Sequence, residues 1–117
     1  MYIPVDGDVY LAQIPHEDYL QSGLRPVIIA QNVKGNASNN RIHIIPVTSR
    51  THKASYLPTH VLLHRNEQNG LKQDSVALIE NCRPLLKTCL IRKIGKLSQE
   101  EREEIGKAFR VHIPLVG

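Results

Sequence analysis

An arginine and a threonine occupy the ends of two predicted neighbouring strands, where together they could bind an anion. Arg25 stands where the polar segment Gln21–Leu24 enters an apolar run, and Thr48 stands where the next apolar run ends. If the two strands pair antiparallel, the start of one lies beside the end of the other. A guanidinium holds phosphate in a planar fork, and a hydroxyl can donate to a further oxygen. The alternative is that Arg25 makes a structural ion pair and Thr48 merely ends a strand.

Other residue types that could carry chemistry do not form a recognisable site. Gly-x-Ser-x-Gly, the P-loop, the dinucleotide fingerprint and His-Glu-x-x-His are all missing from the sequence. Two histidines could cleave RNA by acid–base exchange, but the spacing of the six histidines selects no pair. Cys82 and Cys89 form no Cys-x-x-Cys pair and have no histidine at zinc-ligand spacing, so we expect interior thiols in a reducing compartment. The histidines are His16, His43, His52, His60, His64 and His112.

The amino-acid composition limits the classes of protein to which this chain can belong. The 117 residues are 41% apolar and 22% charged, which predicts one globular domain over residues 1–117. Fifteen basic and eleven acidic residues give a net charge of +4, which permits a polyanionic partner without requiring one. No apolar run approaches the ~20 residues that span a bilayer, and the first residues lack the features of a secretory signal, so we expect a cytoplasmic protein with no membrane partner. With four Tyr, one Phe and no Trp, an aromatic platform for stacked bases is not expected.

Short apolar runs separated by turn residues predict a small β-rich domain. Pro46 lies inside one of these runs, and because proline cannot donate to a strand ladder, we expect an edge strand or a bulge there. Gly95 lies inside the last run. The predicted strands are Asp8–Ile14, Pro26–Gln31, Arg41–Thr48, Thr59–His64, Ser75–Asn81 and Leu90–Leu97.

The C-terminal part of the chain predicts a helix. Ser98 and Glu101 have the spacing of a capping box, and the acidic residues that follow suit the positive end of the helix dipole. Pro114 limits the helix at about residue 113. The predicted apolar stripe consists of Ile105, Ala108, Phe109 and His112. Five or six strands and this helix indicate an α+β protein that is mainly β, with a curled antiparallel sheet forming a small barrel.

A series of segments, in this order along the chain, resembles the MazF/PemK-type toxins. Each segment is short, but the set covers residues 6–110, which is nearly the whole chain. The segments are Gly7–Tyr10, Gln21–Ile29, Gln31–Asn32, Gly35–Asn36, Pro46–Ser49, Leu57–Val61, Gly70–Leu71, Asp74–Glu80 and Ile94–Ser98.

The resemblance implies a bacterial or plasmid-borne toxin of a type II toxin–antitoxin pair, with an SH3-like barrel that is usually a homodimer. Members cut single-stranded RNA, mostly mRNA, at short motifs without a metal or other cofactor. The expected antitoxin is an acidic, partly disordered segment, and DNA binding together with the antitoxin is implied as well. The family's catalytic arginine and threonine fall on Arg25 and Thr48. By position in the matched segments, the expected RNA contacts are Gln21, Ser49, Arg50, Glu80 and Asn81.

One loop departs from the family pattern. Members often have Gly-Ser-Glu-Gln, or a histidine in that place, where this chain has Asp18–Gln21. Gln21 fits this pattern, whereas Tyr19 and Leu20 do not. A loop position that aids RNA contact or proton transfer in some relatives is therefore changed in this chain. Tyr19 could instead stack on a base or supply a phenol, and the neighbouring His16 and Glu17 could take over that role.

Two other functions stay open at this stage. A gyrase poison like CcdB would use the same barrel without nuclease activity, although the C-terminal residues Val111–Gly117 show nothing specific for it. A non-catalytic RNA-binding module would bind RNA phosphates through basic residues at the edge of the barrel without cleaving the RNA. The Gln-x-Gly-x-Arg-Pro pattern around Arg25 favours the nuclease over the gyrase poison, and the RNA-binding module stays open.

Overall fold

The computed structural model describes residues 3–15, 23–31, 39–51 and 57–116. Within these ranges the chain forms seven strands and one α-helix, so the expected mainly β class with a C-terminal helix is confirmed. The elements in chain order are β1 (Asp8–Ile14), β2 (Gly23–Ile29), β3 (Arg41–Thr48), β4 (His60–Leu63), β5 (Ser75–Leu78), β6 (Arg83–Leu86), β7 (Leu90–Lys96) and α1 (Gln99–His112).

The predicted strand bounds hold for β1 and β3 and need correction elsewhere. β2 begins at Gly23, three residues before the predicted start, and ends at Ile29. The predicted strand Ser75–Asn81 ends at Leu78, where the chain turns into a short 3-10 helix. β6 was not predicted, because its Arg-Pro-Leu-Leu sequence shows no clear alternation of apolar and polar residues.

All strand pairs in the sheet are antiparallel, in the order β4-β5-β3-β2-β1-β7, with β6 also paired to β3. β3 is therefore central, and the expectation that Pro46 marks an edge strand is wrong. β6 pairs with Arg41–Ile44 and β5 with Val47–Thr48, so Pro46 lies where β3 changes partner on that side. A residue without a backbone N–H is tolerated at that position because no ladder bond to β5 or β6 is interrupted there.

The apolar residues of the central strands alternate between two buried faces. One face carries Val9, Ile28 and Ile45, and α1 packs on it through Ile105 and Ala108. The other face carries a second set of fully or nearly fully buried side chains. Burial on both faces explains the nearly continuous apolar sequences of β2 and β3. The second set consists of Tyr10, Ala12, Ile14, Val27, Ile29, Ile42, Ile44 and Leu85.

Side-chain hydrogen bonds fix the start of α1. The Glu101 amide donates to Ser98 Oγ (3.2 Å), and the Ser98 amide donates to Glu101 Oε1 (2.8 Å), which confirms the capping box. Arg102 binds the carbonyl and the carboxylate of Asp6, at 2.8 and 2.7 Å. His112 is exposed, so its place in the predicted apolar stripe is wrong. Among the described residues, no helix combines the length and apolarity needed to cross a membrane.

Candidate functional site

The pairing of β2 with β3 brings Arg25 and Thr48 to the same end of the sheet. Val27 lies opposite Pro46 and Ile28 opposite Ile45 in this antiparallel pair. The paired residues end there, and Arg25 and Thr48 each lie two residues further toward the same end of the sheet. Side chains alternate along a strand, so Arg25 lies on the face of Val27 and Thr48 on the face of Ile44, which is one face of the sheet.

The local backbone orients the Thr48 hydroxyl. Its Oγ1 accepts a hydrogen bond from the backbone N–H of Arg50, at 3.2 Å, and the side chain is 9% exposed. This turn directs the chain away from the sheet, and Ser49 and Arg50 follow as exposed residues. A threonine hydroxyl that accepts one bond still has its proton to donate. Thr48 is therefore held in place with a donor available for an anion.

An open cleft of about 650 Å³ lies beside the start of β2. Its walls come from β1, β2, β3 and β7 and from the segment 70–75. Side chains alternate along β2, so Leu24 and Pro26 lie on the face opposite to that of Arg25, and Arg25 borders the cleft at its edge. The lining residues are Leu11, Leu24, Arg25, Pro26, Val47, Ser49, Gly70, Leu71, Lys72, Gln73, Ser75, Arg92 and Ile94.

The charge of this cleft is one-sided. Arg25, Lys72 and Arg92 line it, and none of its described lining residues is acidic. The sequence analysis singled out Arg25 but missed Lys72 and Arg92, because they are distant in sequence and belong to no motif. In the sequence, Arg92 could be noticed only as one of the basic residues within the predicted last strand.

The expected RNA contacts are divided between different parts of the molecule. Ser49 lines the cleft together with Arg25, whereas Arg50 does not. Glu80 and Asn81 lie in the 3-10 helix beyond the opposite end of β5, since Thr48 pairs with Val76 near the start of that strand. Gln21 falls outside the described residues, as do Tyr19, Leu20, His16 and Glu17.

The structure pairs Glu80 with a histidine that the sequence analysis left unassigned. His60 Nε2 lies 2.6 Å from Glu80 Oε2, and the two side chains are 8% and 30% exposed. Glu80 Oε1 is buried and has no hydrogen-bond partner among the described residues. This contact fixes the Glu80 carboxylate, so the side chain can reach a ligand only if it moves away from His60.

The loop that carries Lys72 is anchored to the end of β4 and to α1 by Asn69, whose side chain is fully buried. Its Nδ2 donates to the His64 carbonyl and to Glu101 Oε2, each at 2.9 Å, and its Oδ1 accepts from the Leu71 amide at 3.0 Å. The neighbouring Gly70 has φ +71°, and a Cβ there would collide with the carbonyl of Ile94. The loop and β7 are thus in backbone contact.

A half-buried thiol, a buried tyrosine and an exposed carboxylate have shifted pKa values. Burial raises the pKa of the Cys82 thiol above its ordinary 9.0, and both cysteines are free thiols, as expected. Burial, assisted by Asp8, raises the pKa of Tyr10. The Arg65 amide and then His64 lower the pKa of Asp74. Within the described ranges, no group of three His, Cys, Asp or Glu residues could hold a metal ion.

Comparisons with known proteins agree with this architecture. Residues 6–113 match the family of PemK-like, MazF-like toxins of type II toxin–antitoxin systems. An endoribonuclease MazF of Staphylococcus saprophyticus is 37% identical over 110 residues, which cover 93% of this chain and 90% of that protein.

Solved structures of lower identity share the fold. An endoribonuclease in complex with its cognate antitoxin, from a mycobacterial species, superimposes with a TM-score of 0.78 at 20% identity and covers 96% of both chains. MazF from Deinococcus radiodurans gives a TM-score of 0.78 at 22% identity, covering 97% of this chain and 99% of that one. On the sequence match over nearly its whole length, the chain belongs to the family of PemK-like, MazF-like toxins of type II toxin–antitoxin systems.

Proposed function

We propose that the chain is an endoribonuclease that cuts single-stranded RNA, mainly mRNA, at short sequence motifs and without a metal ion. Family membership and the 37% identical relative named an endoribonuclease support this assignment. The observation that supports the proposal is the antiparallel pairing of β2 with β3, in which the start of β2 with Arg25 and the end of β3 with Thr48 lie at the same end of the sheet. A cation and a hydroxyl on one face are suited to bind a phosphodiester.

The proposed reaction is an in-line displacement within the RNA. The 2′-oxygen of one ribose attacks the adjacent phosphorus, and the bond from phosphorus to the 5′-oxygen of the next nucleotide breaks. The 2′-hydroxyl gives up its proton to solvent water, and the 5′-oxygen takes a proton from Arg25 as it leaves, after which Arg25 is reprotonated from water. The products are a 2′,3′-cyclic phosphate and a free 5′-hydroxyl, and DNA is not a substrate because it lacks the nucleophile.

Arg25 and Thr48 have different roles in the proposed reaction. Arg25 binds the non-bridging oxygens, where charge develops in the transition state, and donates a proton to the leaving oxygen. Its high pKa makes it a poor base. Thr48 fixes the phosphate or polarises the nucleophile through its free hydroxyl proton. Losing one such contact raises a barrier by about 2.7–4 kcal/mol, or ~10²–10³ in rate.

Base recognition and partners complete the proposal. The bases next to the cleaved bond contact Gln21, Ser49 and Arg50. Bases farther along the RNA strand contact Glu80 and Asn81. An acidic, partly disordered antitoxin segment inhibits the enzyme by covering the RNA site, which the net charge of +4 favours. The toxin acts in the cytoplasm as a homodimer.

The test is cleavage of a long single-stranded RNA by the purified protein in excess chelator. We expect defined cuts whose ends carry cyclic phosphate and 5′-hydroxyl, and we expect no cut in an RNA with a single 2′-deoxyribose before the scissile phosphate. Arg25→Ala should lose the activity, while the control Arg110→Ala, on the exposed side of α1, should keep it.

Three results would contradict the proposal. Intact RNA with shifted mobility would indicate a binding module, and arrested DNA supercoiling with intact RNA would indicate a gyrase poison. Cleavage of the 2′-deoxy RNA at the substituted position would exclude the internal nucleophile.

A further inference from the structure

We propose that the cleft beside β2 binds a nucleotide flanking the scissile phosphate, with Lys72 and Arg92 as ligands of its phosphate group. The inference rests on the proposed ribonuclease function and assigns a second, non-catalytic subsite to it. Arg25 borders the cleft from the other face of β2. An RNA strand bound at Arg25 and Thr48 therefore meets this cleft when it passes over the end of the sheet.

Strand register builds the floor and one wall of the subsite. Leu11 of β1 lies opposite Pro26 on one side and opposite Arg92 on the other. These three residues form a row across the sheet on one face, with the cation at its end. Ile94 follows two residues later on the same strand and also lines the cleft. The result is an apolar floor next to a guanidinium, which suits a nucleotide's base and phosphate.

The second cation comes from the loop around Asn69 and Gly70, whose backbone contacts β7. The Lys96 amide donates to the Gln68 carbonyl at 2.8 Å, so this loop is bonded directly to the strand that carries Arg92. Lys72 follows two residues after Gly70 and lines the same cleft. A loop anchored in this way holds its charge beside the cleft before RNA binds, which reduces the entropy lost on binding.

Neither cation is neutralised within the described part of the chain. Lys72 and Arg92 make no side-chain hydrogen bond or ion pair with any described residue. The nearby carboxylates are engaged elsewhere. Asp74 accepts from the Arg65 amide at 2.9 Å and faces His64. Asp8 pairs with Lys93, whose Nζ lies 3.1 Å from Oδ1.

Two other clefts of the described structure differ in charge. The cleft between α1 and the sheet mixes Arg102, Lys107 and Arg110 with Asp6 and Glu103. The cleft at the start of α1 is acidic, with Glu100, Glu101 and Glu104 among its lining residues. Of these three clefts, the one beside β2 combines several cations with an absence of described carboxylates. Its charge therefore complements a phosphate chain, and its position next to Arg25 favours RNA as the occupant.

The test compares two double variants of equal charge. K72Q/R92Q removes two positive charges from the cleft, and the control K96Q/K107Q removes two from exposed positions outside it. For cleavage of a long RNA, we expect KM of K72Q/R92Q to rise about tenfold, the effect of two exposed charge contacts, with kcat unchanged. The slope of log KM against log salt should become shallower by about 1.4, or roughly 0.7 for each lost phosphate contact. The control should match the wild type.

A binding measurement separates this inference from the proposed function. The probe is the 2′-deoxy-substituted RNA, which the enzyme cannot cut, and K72Q/R92Q should bind it more weakly than the control does. If the wild type cuts RNA and both double variants share its KM, salt slope and probe affinity, the subsite is wrong and the nuclease stands. If the wild type cuts no RNA, the proposed function itself fails.

Discussion

Thr48 Oγ1 accepts a hydrogen bond from the Arg50 amide at 3.2 Å, so the turn that ends β3 also sets the direction of the Thr48 hydroxyl. We predict that Thr48→Val, which keeps the shape and removes the oxygen, lowers kcat for RNA cleavage by ~10²–10³. Thr48→Ser keeps the hydroxyl and should retain most of the rate. Single-turnover cleavage of one RNA measures both. A Thr48→Val protein with a normal rate and an unchanged thermal midpoint would remove Thr48 from the proposed chemistry.

The contact between His60 and Glu80 predicts energetic coupling. Their side-chain atoms lie 2.6 Å apart in a partly buried setting, where a hydrogen bond to a charged group contributes about 1.5–3 kcal/mol. His60→Ala, Glu80→Ala and the double variant form a cycle that measures this coupling by urea unfolding. A coupling energy near zero would show that the pair does not stabilise the fold. His43, an exposed histidine of β3, supplies the control His43→Ala, which should cost little.

Asn69 should be the most sensitive polar residue of the loop that carries Lys72. Its buried amide makes hydrogen bonds to His64, Leu71 and Glu101, and truncation leaves their polar groups without partners. We expect Asn69→Ala to lower the free energy of unfolding by about 3 kcal/mol. Gln68→Ala, at an exposed position of the same loop, should cost much less. Equal losses for the two variants in chemical denaturation would contradict the anchoring role.

The capping box at the start of α1 can be tested by replacing Ser98. Its hydroxyl accepts from the Glu101 amide, and Ser98→Ala should lower the free energy of unfolding by about 1 kcal/mol. Ser98→Asp, another good capping residue, should restore most of it. The difference is measured by urea denaturation at constant pH. Indistinguishable stabilities for all three proteins would mean that tertiary contacts alone hold this end of the helix.

Burial of the Cys82 thiol predicts loss of stability in alkali. Its folded-state pKa is raised above 9.0, so the folded protein holds the proton more tightly than the unfolded chain. The resulting stabilisation is complete below pH 9 and is lost as the pH rises through the folded value. Unfolding free energies between pH 8 and pH 10.5 should decline less steeply in Cys82→Ala than in the wild type. Tyr10, whose pKa is also raised, adds to this decline. Identical slopes would show that Cys82 does not contribute.

Local sequence determined the elements from which the site is built. β1 and β3 were predicted to the residue because alternation and β-branched content report which faces a strand buries. The capping box could be predicted from the sequence because its two hydrogen bonds connect residues that are three positions apart. The position of Arg25 and Thr48 at neighbouring strand ends followed from antiparallel pairing of consecutive strands, which is the commonest connection.

Only the tertiary structure decided what surrounds those residues. Lys72 and Arg92 join Arg25 at one cleft because β7 pairs with β1 and a distant loop is bonded to β7. His60 meets Glu80 because β4 pairs with β5. Such contacts depend on strand order and register, which are set by how the whole sheet buries its two faces and not by any local pattern of residues. The sequence could therefore name the groups proposed to react, whereas the fold alone supplied their neighbours.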